Sequence, residues 1–206
     1  MSVTDNSLAG QSQEDSRRPC IIICNWDGGE PVWDLVEDLS GVPWAPDNAR
    51  TELIEGVTDA EALAHNLVER LISHEARALL LIGRTRYDGP ARLQIRAEIP
   101  KTDGHRLNED GPGVVRATAP AAAILEAATK AKVALVASSN AEDDAGSALL
   151  YRVMTALEDH LETPAVAMIR FPSGMPEPQV AATIKAAASV MTQHFTPAQR
   201  PAAVRI

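Results

Sequence analysis

Apolar residues along this chain fall into short unbroken runs separated by stretches with helical spacing, and that alternation predicts most of the fold. Cys20–Cys24 is apolar at every position, the pattern of a strand buried on both faces. It feeds a glycine-rich turn, Asn25-Trp26-Asp27-Gly28-Gly29-Glu30, after which Trp33, Val36 and Leu39 recur at helical spacing until Pro43 and Pro46 end the run. A second strand is predicted at Thr51–Ile54. Thr58-Asp59-Ala60-Glu61 then has the form of an N-cap with an acidic first turn, opening a helix whose apolar face is Leu63, Leu67, Leu71 and Ile72. Ala78–Ile82 reads as a third buried strand closed by Gly83, and Leu93–Ile99 alternates apolar with polar residues, as a more exposed, antiparallel strand does. Residues 100–113 carry turn chemistry throughout. A helix at about 118–131, a strand Val133–Val136, a helix at about 144–161, a strand Ala165–Ile169 and a helix at about 177–194 complete the series.

Strand and helix in regular alternation specify an α/β fold, a three-layer α/β/α sandwich with a mostly parallel (mixed) central sheet. Residues 1–18 are polar and aperiodic and read as a disordered arm, 19–195 as a single domain, and 196–206 as a surface tail.

Composition narrows the classes of function. The net charge of −9 and the 3% of aromatic residues argue against nucleic acid, which demands a basic surface and, for single strands, stacking rings. With no signal-peptide pattern at the start and no apolar run near the ~18 residues that span a bilayer, a cytoplasmic protein without membrane contact is expected. Cys20 and Cys24 lie on one face of a strand about 13 Å apart, beyond the ~7 Å limit for a disulfide. The five histidines show no ligand spacing, so neither metal nor cofactor is expected.

Chemistry concentrates at Val133–Tyr151. An apolar run ends in Ser138, Ser139 and Asn140, and a helix begins among Asp143, Asp144 and Gly146; ligands of open α/β sheets collect where strands end in such loops. Asp143 and Asp144 suit an acidic first turn facing the helix dipole. Ser147 is a candidate nucleophile, with His105 as its candidate base. His160 lies near the far end of the same helix, roughly 20 Å away at 1.5 Å per residue.

Taken in order, Gly28-Gly29-Glu30, Leu93-Gln94-Ile95-Arg96-Ala97, Glu109–Gly113, Ser138–Ala148, Leu149-Leu150-Tyr151 and Ile169-Arg170-Phe171-Pro172 resemble pyroglutamyl peptidase I, also called pyrrolidone-carboxylate peptidase, over about residues 20–194. The resemblance implies cysteine peptidases of α/β/α fold, often homo-tetrameric, that remove an N-terminal pyroglutamyl residue with Cys, His and Glu. Each of those positions is changed here: the carboxylate falls on Gln94, the cysteine on Gly146 and the histidine on Arg170. Glycine cannot attack, arginine cannot act as a base, and glutamine has no charge to orient an imidazolium. The expectation is a relative without peptidase activity that binds a small anionic ligand or a protein partner. Arg170 is the anion receptor in that reading, helped by Asn25, Trp26, Asp27, Ser139 and Asn140. Alternatively, one of Asp143, Asp144 or Asp27 pairs with Arg170. A hydrolase of changed mechanism, acting on a pyroglutamyl-like or other small amide or acyl substrate through Ser147, Asp143 or Asp144, is the competing expectation. The wide apolar stripe of the last helix also leaves room for a homodimer or homotetramer contact.

Overall fold

The computed structural model describes residues 18–27, 44–47, 49–55, 59–99, 101–102, 105–106, 111–158, 160 and 163–193. The expected N-terminal arm, the helix around Trp33 and the C-terminal tail lie outside these residues. Strands β1 (Cys20–Asn25), β2 (Arg50–Glu55), β3 (Ala78–Thr85), β4 (Ala91–Gln94), β9 (Leu135–Ser138) and β10 (Ala165–Pro172) form one six-stranded sheet in the order β2-β1-β3-β10-β4-β9. Neighbours pair in parallel except β10 with β4, which are antiparallel. Two small antiparallel pairs lie outside the sheet: β5 (Arg96–Glu98) with β8 (Val114–Arg116), and β6 (Lys101–Thr102) with β7 (His105–Arg106).

Helices α1 (Ala60–Ile72) and α3 (Ala145–Ala156) cover one face of the sheet, and α2 (Ala121–Lys130) and α4 (Glu177–Gln193) cover the other. The α/β/α sandwich with a mixed, mostly parallel sheet is thereby observed. Its layers follow from the strand period of two: on β1, Cys20, Ile22 and Cys24 enter the α1/α3 core while Ile21 and Ile23 enter the α2/α4 core. Asp59 caps α1, its Oδ1 accepting from the amides of Glu61 (2.9 Å) and Ala62 (3.1 Å), as the acidic first turn implied. On α4, Val180, Ile184, Ala187, Ala188 and Met191 are buried against the sheet, while Ala181, Ala182, Ala186 and Val190 beside them are half-buried.

Two expectations need correction. The strand over Leu93–Ile99 is antiparallel but not exposed: it breaks at Ile95, and its first part, β4, is an interior strand with Leu93 and Gln94 buried. Gln94 faces the core because a polar network, described below, receives it. The strand expected at Val133–Val136 is β9, two residues further on, and it runs with β4 against β10. Ser138 is therefore level with Met168, and the turn after it heads toward the amino end of β10 rather than sharing the carboxyl edge of β1, β3 and β10.

Candidate functional site

Because side chains alternate across a strand, Ile169 and Phe171 point into the α2/α4 core and Arg170 points into the α1/α3 face. There it stands between Gly83 of β3 and Arg92 of β4 in register, two residue pairs from the buried Gln94. Residues 139–144 climb back along the sheet and start α3 beside it, with Asp144 as N-cap accepting from the Ser147 amide at 2.9 Å. The Arg170 side chain is 1% exposed, and all five of its N–H groups have acceptors inside the protein. Nε donates to Gln94 Oε1 (2.7 Å), Nη1 to Asp144 Oδ2 (2.6 Å) and Arg84 O (3.4 Å), and Nη2 to Asp144 Oδ1 (2.8 Å) and Ser147 Oγ (2.9 Å).

The arginine fixes its neighbours as well. Since a guanidinium can only donate, the Gln94 oxygen must face it, which turns the Gln94 amide nitrogen toward Ser147 Oγ (3.2 Å) and Arg96 O (2.9 Å). Ser147 Oγ thus accepts from an amide and from a guanidinium, and neither can take a proton from it. Behind them Glu142, 5% exposed, accepts from the Thr85 hydroxyl and the Arg86 amide and lies 3.6 Å from Arg86 Nε.

Trp26 closes the cluster. The Arg170 guanidinium carbon lies 5.2 Å from the centre of its ring. A Cβ added to Gly83 would sit 2.2 Å from indole atoms, and one added to Gly146 2.5 Å from Cε2. Beside this closed cluster opens a cavity of about 240 Å³ lined by Glu98, Ile99, Ala141, Glu142, Asp143, Asp144, Ser147 and Ala148. Its charged walls are all carboxylates.

The structure gathers Gln94, Asp144, Gly146, Ser147, Arg170 and Trp26 into one cluster. Asp27 joins its rim, accepting from the Arg84 amide at 2.8 Å, and Asn25 is buried at the end of β1. Ser139 and Asn140 are not gathered: both are exposed, Ser139 O accepts from Arg96 Nε at 2.5 Å, and the reversed direction of β9 carries them away. Asp143 is exposed at the cavity mouth. His105 stands on β7, its side chain outside the described residues, and His160 follows the end of α3. Of the acids expected as alternatives to pair with Arg170, it is Asp144 that does so, in bidentate fashion. Glu142 and Thr85 escaped the sequence reading: Glu142 is one of three consecutive acids, and nothing in the sequence marks it as the buried one. Among the described residues no three His, Cys, Asp or Glu side chains are grouped to hold a metal ion, and no helix is long and apolar enough to cross a membrane.

No protein-family model matches the chain, and no curated protein matches it in sequence. Solved structures do. Pyroglutamyl peptidase I from Bacillus amyloliquefaciens superposes with a TM-score of 0.68 at 18% identity, over 85% of this chain and 95% of that one. Pyrrolidone carboxyl peptidase from Thermus thermophilus gives 0.62 at 18% identity, covering 82% and 99%. That from Thermococcus litoralis gives 0.66 at 14%, covering 86% and 94%. The fold of this chain, over nearly the whole length of those enzymes, is the pyroglutamyl peptidase I fold.

Proposed function

We propose that this chain is a divergent relative of pyroglutamyl peptidase I that has given up peptidase chemistry and works by binding. The observation that carries the reading is the Arg170 cluster. Where the resemblance calls for a thiol, an imidazole and a carboxylate, the chain holds Gly146, Arg170 and Gln94, and the arginine's five donors are spent on Gln94, Asp144, Ser147 and Arg84. Among the described residues, what remains has no nucleophile with a base beside it. The alternative, a hydrolase built on Ser147, is weakened by the same contacts, because the two groups on Ser147 Oγ are donors.

Of the two kinds of binding expected from the sequence, the small anion fits poorly. Its receptor is occupied, and the adjoining cavity presents Glu98, Glu142, Asp143 and Asp144. Three of these are already paired, Glu98 with Arg96, Glu142 with Arg86 and Asp144 with Arg170, so the negative charge that faces the cavity is mainly that of the exposed Asp143, which disfavours an anion and favours a positively charged group. A protein partner presenting a basic side chain there is the better match.

Two measurements test this. A pyroglutamyl chromogenic substrate is expected to be cleaved no faster by the protein than by buffer, and turnover near that of an authentic peptidase would refute the reading. Calorimetry of wild type and Arg170→Ala against acyl-amino acids is expected to give equal, negligible heats; heat in wild type that disappears in Arg170→Ala would restore the anion receptor.

A further inference from the structure

Arg92 on β4 and Arg170 on β10 are register partners, so their side chains leave the sheet side by side on the α1/α3 face. Asp144 neutralises Arg170, and Glu142 lies beside Arg86, so each of these carboxylates already has a cation. Arg92 has no such partner. Among the described residues it makes no hydrogen bond and no ion pair, and its Nε is buried without an acceptor. A half-buried guanidinium left in that state works against the folded chain, since burial strips water from the charge and nothing inside replaces it. What holds it is the Tyr87 ring, whose centre lies 4.7 Å from the guanidinium carbon.

The surroundings are open. Tyr87 is 44% exposed, and Val136, the register partner of Arg92 on the edge strand β9, is 43% exposed, so the helical layer stops short of this corner of the sheet. Contacts run from the corner to the cavity. Arg86, next to Tyr87 in the chain, donates through Nη2 to Asp143 O at 3.5 Å, and Asp143 is the exposed acid at the cavity mouth. One patch therefore carries a carboxylate and a guanidinium that have no ion-pair partner among the described residues, with an exposed aromatic ring and an exposed valine. Tyrosine and arginine are among the residue types that contribute most at protein contacts.

We propose that this patch is a docking surface for the protein partner inferred above, and that Arg92 receives a carboxylate of that partner while Asp143 meets its basic side chain. The inference rests on the binding reading of the cavity and adds a second contact of opposite sign. Charge complementarity sets the partner's chemistry: an acidic and a basic side chain close together, with an apolar group to cover Tyr87 and Val136. The isolated chain gains nothing from the unpaired guanidinium, whereas a carboxylate can accept two parallel hydrogen bonds from it.

Acetate supplies the carboxylate alone. Titrated into the isotope-labelled protein, it is expected to move the Arg92 Nε–H resonance with a Kd of roughly tens of millimolar, too weak for the calorimetry above, while chloride at equal ionic strength does not. A resonance that acetate leaves in place, or that chloride moves equally, overturns the proposal. Arg92→Met gives a readout that needs no ligand. It removes a charge with no internal partner and keeps a long side chain, so the melting temperature is expected to rise by about 2–4 °C. An unchanged or lower value, or a variant that does not fold, would show that the fold itself needs Arg92 and would overturn its role in docking. The two readings fail separately, because turnover of the pyroglutamyl substrate or heat lost in Arg170→Ala bears on the binding role, and the Arg92 resonance bears on this one.

Discussion

Ile169, Arg170 and Phe171 are consecutive and all buried, yet they end in two differently built halves of the molecule. On the α2/α4 side the top of β10 is closed by Phe171, packed into a large cluster of apolar side chains. On the α1/α3 side the same level of the sheet carries Arg170, Gln94, Asp144, Ser147 and Glu142 under a tryptophan. The apolar half is held by area removed from water, to which many side chains contribute separately. The polar cluster, set at the edge of the α1/α3 apolar core, is held by complementarity, in which each group is tolerable only because the others are present. Gln94, Asp144, Ser147 and Arg170 form a mutually satisfied set.

The difference predicts how each half breaks. Asp144→Ala strands a buried guanidinium and removes the cap of α3, and is expected to cost about 3–5 kcal/mol. Ile169→Val on the other face is expected to cost about 1 kcal/mol. An apolar replacement of the set, Gln94→Leu with Arg170→Met and Asp144→Ser, keeps a cap and leaves few stranded partners, so it is expected to be less destabilising than Asp144→Ala alone. Urea unfolding of these four proteins and of the single variants Gln94→Leu, Arg170→Met and Asp144→Ser measures this. A triple variant that loses the sum of its single losses would show that the cluster is not a cooperative unit.

The two halves were also unequally legible. Strands β1, β3 and β10 stand out because both of their faces are apolar, so burial alone identifies them. In β4 the run Ala91-Arg92-Leu93-Gln94 has the alternation of a half-exposed strand, and only the structure shows what receives its polar face. Arg92 lies 4.7 Å from the Tyr87 ring centre, and Gln94 bonds Arg170 and Ser147. Periodicity carries no direction, which is why the reversal of β9, and with it the exclusion of Ser139 and Asn140 from the cluster, could not be read. Gln94, Gly146 and Arg170 were singled out through the family resemblance, and the structure brings them together; an acidic partner for the arginine was also expected. Trp26 was visible as a loop residue; its overlap with Gly83 and Gly146 depends on contacts between segments more than 50 residues apart in sequence.

A smaller effect separates glycines that make room from glycines that only link. Gly83→Ala places a Cβ 2.2 Å from the indole and is expected to lower stability by about 1–3 kcal/mol, whereas at Gly174 an added Cβ meets nothing within 4 Å. Gly174→Ala is accordingly expected to stay within about 0.5 kcal/mol of wild type. If thermal denaturation ranks them the other way, the space beside Gly83 is not tight.

The smallest difference is one of titration. On β1 the α1/α3 face buries Cys20 and Cys24 where the α2/α4 face buries Ile21 and Ile23. Burial holds the Cys24 thiol proton up to about pH 12, while the unfolded chain releases it near 9.0. Stability from this thiol is therefore complete below pH 9 and is lost as pH rises from about 9 toward 12, by up to about 1.4 kcal/mol per pH unit. Cys24→Ala removes the titration along with some packing, so its deficit against wild type is expected to be largest at pH 7 and to shrink at pH 10. Ile23→Val, facing the other core with no ionisable group, is expected to keep the same deficit at both values. Urea midpoints at pH 7 and 10 provide the comparison, and a Cys24→Ala deficit that does not narrow would mean the thiolate is tolerated in that core, which would erase the last contrast between the two faces of β1.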